Sequence, residues 1–191
     1  MAVLSQIKAS DNVTYNIRDD YSTWGGRNLL KGAGFYTKNT PYSYTSTAKD
    51  GFVYLTTMLT IEPLKAGQDY VIQCKTNGIW AASHGSQATS NVTLWLVTGA
   101  SVLANTNHYC FTTATAGYLG NGQWVWNCPS ASDGLYGHIR VNNYNTDGTT
   151  SVTHTYWNFK LEKGNKPTDW SPALEDIARD IGNETIELFS M

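Results

Sequence analysis

The side chains with the most chemical potential in this sequence lie on alternating runs. In residues 136–143, Ile139 and Val141 point one way and His138, Arg140 and Asn142 the other. In residues 92–97, Val92, Leu94 and Leu96 share one face and leave Thr93 and Trp95 opposite. In residues 69–75, Gln73 and Lys75 oppose Tyr70, Ile72 and Cys74. If these strands share a sheet, its outer face carries Trp95, Gln73, His138, Arg140 and Asn142, with Trp80 at the rim beyond the Asn77-Gly78 turn. A flat indole among amide, imidazole and guanidinium groups suits a sugar, whose C–H face stacks on a ring while its hydroxyls hydrogen-bond at the edges. Trp95, Trp80, Gln73, His138, Arg140 and Asn142 are therefore the candidate ligand-binding residues. The competing explanation is a plain solvated face, or a tryptophan covered by a loop or a subunit, since tryptophan in a β-protein is more often core. On that ground Trp157, which shares a face with Phe159 and Leu161, is assigned to the core, as is at least one of Trp124 and Trp126.

Catalytic chemistry is scarce by comparison. The sequence has no GxSxG, no HExxH, no glycine-rich phosphate loop and no paired-cysteine metal motif. His84, His108, His138 and His154 are scattered, and nothing local pairs any of them with an acid. Asp50, Glu62, Asp69, Asp133 and Asp147 fall mostly at turns, where turn hydrogen bonding accounts for them without a pair of carboxylates facing across a cleft. No catalytic residue, metal ligand or cofactor is assigned, and the chain is not expected to be an enzyme. A structural calcium ion, if bound, would use Asp133 and Asp147, although no dense Asp/Asn ladder surrounds them. Cys74, Cys110 and Cys128 are odd in number and match no zinc or redox spacing, so buried free thiols in a reducing cytoplasm are expected.

The elements that must position these groups read as strands. Residues 52–61, 92–97, 123–128, 136–143 and 152–161 are β-rich runs, and residues 69–75 and 109–113 join them. Asp50-Gly51, Asn77-Gly78, Asp133-Gly134 and Asp147-Gly148 are turn pairs. Strand after strand with regular punctuation and no fixed-period repeat indicates a sandwich rather than a propeller or solenoid. Residues 1–26 read as an N-terminal extended arm with one strand at Val13–Ile17 and a polar join through Asp19, Asp20, Ser22, Gly25 and Gly26. Residues 27–170 form the β-sandwich. Residues 171–191 form a short C-terminal helix, with Ser171 capping, Pro172 at its first position and Leu174, Ile177, Ile181 and Leu188 on one face.

Composition narrows the partners. Of 191 residues, 15% are charged and 13% aromatic, and the net charge of −2 gives no basic field for nucleic acid or an anionic membrane. The opening MAVLSQIKASDN lacks the continuous apolar segment of a signal peptide, and no apolar run approaches a membrane span.

Residues 159–176 (FKLEKGNKPTDWSPALED) resemble the segment that closes a carbohydrate-binding-module-like jelly roll in phage tail and prophage minor structural proteins. Lys160, Leu161, Glu162, Gly164, Thr168, Trp170, Ser171, Pro172, Glu175 and Asp176 match the pattern, and Pro167 departs from it. Arg27-Asn28-Leu29-Leu30 resembles the opening of such modules, Leu64–Tyr70 their Leu-x-x-Gly-x-x-Tyr approach to a strand, and Tyr15–Asp19 the leading segment of some tail-fibre and baseplate proteins. The resemblance implies an all-β jelly-roll sandwich in a virion tail, made in the bacterial cytoplasm. It implies other tail subunits and further copies of the chain as partners, in a homo-oligomer that attaches to cell-surface glycan. The matching residues read as architecture: Leu161 ends a core strand, Gly164 allows a turn and Trp170 covers the open end. The function expected is thus a non-catalytic module binding cell-surface carbohydrate. A purely structural tail or oligomerisation module is the first alternative. A hydrolase with a loop-built site is the second, and it would need two close carboxylates or a buried His–Asp pair.

Overall fold

A computed structural model describes residues 4–8, 14–18, 26–81, 88–99, 108–113 and 116–177. The strands fall where β-branched and aromatic residues alternate. They are β1 (Leu4–Lys8), β2 (Thr14–Arg18), β3 (Leu30–Lys31), β4 (Tyr42–Ser46), β5 (Asp50–Thr60), β6 (Asp69–Thr76), β7 (Ile79–Trp80) and β8 (Asn91–Gly99). The second half adds β9 (His108–Thr112), β10 (Gly117–Gly120), β11 (Gln123–Asn127), β12 (Tyr136–Tyr144) and β13 (Val152–Lys163). The all-β sandwich expected from the sequence is the fold observed.

One sheet has five strands in the order β10-β11-β6-β13-β4. The other has six: β3-β5-β12-β8-β7, with β9 also paired to β8. The two strands latest in sequence thus sit inside the sheets, β12 between β5 and β8, and β13 between β6 and β4. Between the sheets lies a single core that includes Leu55, Met58, Tyr70, Ile72, Leu94, Leu96, Trp124, Ile139, Val141, Tyr156, Phe159 and Leu161. The arm is a hairpin, β1 antiparallel to β2, rather than one strand alone. The polar join 19–25 lies outside the described residues, as does the expected helix beyond residue 177, of which 174–177 are helical.

Two local readings change. Asp50-Gly51 is not a turn but the start of β5, where a Cβ on Gly51 would come within 2.0 Å of Ser46 Oγ. Trp157 is not core. Two residues of β6, Lys75 and Gln73, span three steps of β13, from Trp157 to Lys160, so the strand carries a bulge. Asn158 takes up the extra residue with φ 55° and donates its N–H to Tyr36 O. The inward phase jumps from Tyr156 to Phe159, both fully buried, and Trp157 turns to the other face, half-buried and away from the core.

The closing segment clasps the sandwich shut. After Gly164 the chain crosses the outer face of the five-stranded sheet, where Lys160 and Glu162 are both 0% exposed. Lys160 Nζ donates to Thr168 Oγ1 and Asp169 O, and lies 3.2 Å from Glu162 Oε2. Glu162 accepts from the Thr168 N–H and hydroxyl. Asn28 ties the other end, donating to Phe159 O and Ser171 O and accepting from the N–H groups of Leu30 and Leu161. Trp170 Nε1 donates to Phe159 O, Asp176 accepts from the Gly32 and Gly34 N–H groups, and Arg27 pairs with Glu175.

Candidate functional site

The outer face of the six-stranded sheet gathers four of the six candidate residues. Arg140 on β12 lies directly between Tyr54 on β5 and Trp95 on β8, and Asn142 lies between Phe52 and Thr93. Directly opposed residues share a face, so the strands bring these six side chains together. His138, two residues before Arg140, packs against the Tyr54 ring at 5.5 Å between centroids. Trp95 is half-buried and makes no part of the core.

Arg140 organises this face. Its guanidinium carbon sits 4.0 Å from the centre of the Phe52 ring, 5.1 Å from Trp95 and 5.7 Å from Tyr54. A guanidinium within about 6 Å of three aromatic rings is held by cation–π attraction on several sides. Its Nε donates to Asn142 Oδ1 at 2.9 Å, and Asn142 Nδ2 donates to Asp50 Oδ1 at 2.6 Å. Trp95 Nε1 donates to Thr93 Oγ1 at 3.0 Å, which fixes the indole over its own strand. The polar row is therefore packed rather than solvated: His138, Arg140 and Asn142 are 3%, 7% and 1% exposed. What the face offers to solvent is Phe52, 47% exposed, backed by the guanidinium and edge-on to Tyr54 at 5.6 Å.

Phe52 and Tyr54 were not among the sequence candidates. The run FVYLTTMLTI reads as β-rich and uncharged, as a core strand would, whereas only Leu55, Met58 and Thr60 within it are buried and Phe52 is exposed. The readable signal was the pairing of two aromatic residues two positions apart with Val53 and Leu55 between and beyond them.

Two candidates lie elsewhere. Gln73 is in the other sheet, on β6, since alternation assigns a face but not a sheet. It is buried and hydrogen-bonded to Gln123 and to Thr168 O beneath the closing segment. Trp80 is at the edge of the six-stranded sheet but turns inward, with its ring 4.8 Å from Trp124 and 6.4 Å from Tyr156. Strand β7 pairs parallel with β8 and aims Trp80 at the core instead of the outer rim.

Burial lowers the pKa of His138, whose Nε2 is buried without a partner, and likewise that of His154. Each is easier to protonate in the unfolded chain, so stability present above the ordinary histidine value of about 6.5 is lost as pH falls through the depressed folded value. The urea midpoint is expected to drop between about pH 7 and pH 5, and His138→Phe to flatten part of that drop. An unchanged slope in the variant would remove His138 from this role.

Other groups that bear on catalysis or metal binding are committed locally. Asp133 accepts from the Ala66 N–H, and Asp147 from the Thr149 and Thr150 N–H groups and the Thr150 hydroxyl. The Thr150 hydroxyl, aided by those N–H groups, holds the Asp147 carboxyl well below the usual range. These two aspartates flank opposite ends of β12 and cannot share one ion. A half-open depression of about 350 Å³ is lined by Lys31, Phe35, Tyr36, Thr57, Glu175 and Asp176, among others. Its carboxylates are engaged by Arg27 and by the Gly32 and Gly34 N–H groups. Among the described residues no three His, Cys, Asp or Glu side chains group as a metal site. No helix among them is long and apolar enough to cross a membrane. No family model matches the chain, and no curated protein matches it in sequence.

Proposed function

We propose that this chain is a non-catalytic binding module of a phage or prophage tail that holds cell-surface carbohydrate on the outer face of its six-stranded sheet. The observation that carries the reading is the Phe52 ring, half-exposed on the outer face of the sheet and braced by the Arg140 guanidinium. A braced ring gives up little freedom when a sugar stacks on it, and the neighbouring exposed Asp50 and half-buried Trp95 supply acceptors and a second flat surface. The tail context rests on the closing motif and on the way its residues interlock with Asn28. Weak single-site affinity would be raised by copy number in an assembled tail.

Phe52→Ala is expected to weaken binding to a cell-wall polysaccharide by about tenfold, with a small change in the urea midpoint because the side chain is exposed. A glycan array probed with the oligomeric protein tests the reading directly, and absence of any signal would sink it.

A structural module is the second reading. It is favoured by the way Arg140, Asn142 and Asp50 already satisfy one another. A stable oligomer in light scattering whose Trp95 environment ignores every glycan would support it.

A further inference from the structure

We infer that the opposite face of the sandwich carries a second glycan subsite, centred on Trp157. The inference rests on the reading of the chain as a glycan-binding module but uses different residues on the other sheet. Alternation back from Phe159 and Leu161 would have put this indole on the core face. Instead the bulge at Asn158 places a non-glycine residue at φ 55° and turns Trp157 outward. The left-handed backbone at a non-glycine residue costs stability, and bulges of this kind re-aim side chains at functional positions. The indole N–H has no acceptor among the described residues, and it is not a sealed-off buried group, in contrast to the paired indoles of Trp95 and Trp170.

The surroundings of Trp157 fit a sugar better than an apolar protein partner. Lys75 is its direct neighbour on β6, with Nζ tied to Asn121 O across the sheet. Thr155 lies two residues back on the same face, its backbone paired with Asn77. An ammonium on one neighbouring strand and a hydroxyl two residues back thus flank one half-exposed indole on this face.

The test follows the tryptophan indole N–H resonances of the intact protein, with Trp157 and Trp95 assigned through W157F and W95F. The probes are chitobiose, cellobiose, maltose and lactose at about 10 mM, roughly tenfold above a Kd of about 1 mM. The expected result is a saturable shift of the Trp157 resonance with at least one disaccharide, weakened roughly threefold or more by K75A without change in the urea midpoint. Movement of Trp95 alone would overturn the second subsite and leave the proposed face standing. Movement of Trp157 alone would uphold the second subsite and count against the proposed face. No movement of either resonance would overturn both.

Discussion

Glu162→Ala is expected to destabilise the protein by about 3–5 kcal/mol, because it leaves the fully buried Lys160 ammonium without its carboxylate. Burial pulls Lys160 below its ordinary pKa, and Glu162 pulls it back, so removing the acid removes the support for the charge. The same change orphans the Thr168 N–H and hydroxyl. For a chain of this length the loss corresponds to about 10 °C in Tm. Replacing Lys160 and Glu162 together by methionine and leucine is expected to cost much less, since the uncompensated charge is then absent. A Glu162→Ala protein with the wild-type urea midpoint would show that this pair does not clamp the closing segment.

The second large effect is expected at Asn28, 1% exposed. Its side chain donates to Phe159 O at 3.0 Å and Ser171 O at 2.9 Å, and accepts from the Leu30 N–H at 3.0 Å and the Leu161 N–H at 3.2 Å. Asn28→Ala leaves buried backbone donors and acceptors unpaired at about 1–3 kcal/mol each, for a total loss of about 4 kcal/mol. Asn28→Asp keeps the acceptor but sets a buried carboxylate oxygen against the Phe159 and Ser171 carbonyls, so its urea midpoint at pH 7 is expected to fall at least as far as that of the alanine variant. Equal midpoints for all three proteins would show that Asn28 is not a tie between the first and last strands.

Much of this architecture was legible in the residues. The runs 92–97, 136–143 and 152–161 each lie in a strand of the structure, 123–128 does so but for Cys128, and the outward set Trp95, His138, Arg140 and Asn142 does share one face. What stayed hidden has two physical causes. Alternation with a period of two tells which residues share a face of a strand, but nothing in it says which strands become neighbours. Gln73, in the other sheet, was misplaced for that reason, whereas Trp80 lies at the expected edge but turns inward. A bulge shifts the phase by one residue, and the sequence Tyr156-Trp157-Asn158-Phe159 does not announce it, so Trp157 was assigned inward. Phe52 does not stand out because it opens an uncharged, β-rich run that reads as core. The exposure of Arg140 was overestimated because the three rings that surround it come from two other stretches of the chain and only the tertiary fold collects them.

The placement of β12 and β13 has a consequence for biosynthesis. A ribosome delivers β4, β5, β6 and β8 first, yet β5 and β8 meet only through β12, and β4 and β6 only through β13. Until residues near 163 have emerged, four strands wait with bare edges, and such edges recruit other nascent chains. Asn28 then waits longer still, since its partner Ser171 is 143 positions away. Folding is therefore expected to be slow and to wait until β12 and β13 have left the ribosome, and a chain cut short before β12 would leave open sheets prone to aggregate rather than a smaller sandwich.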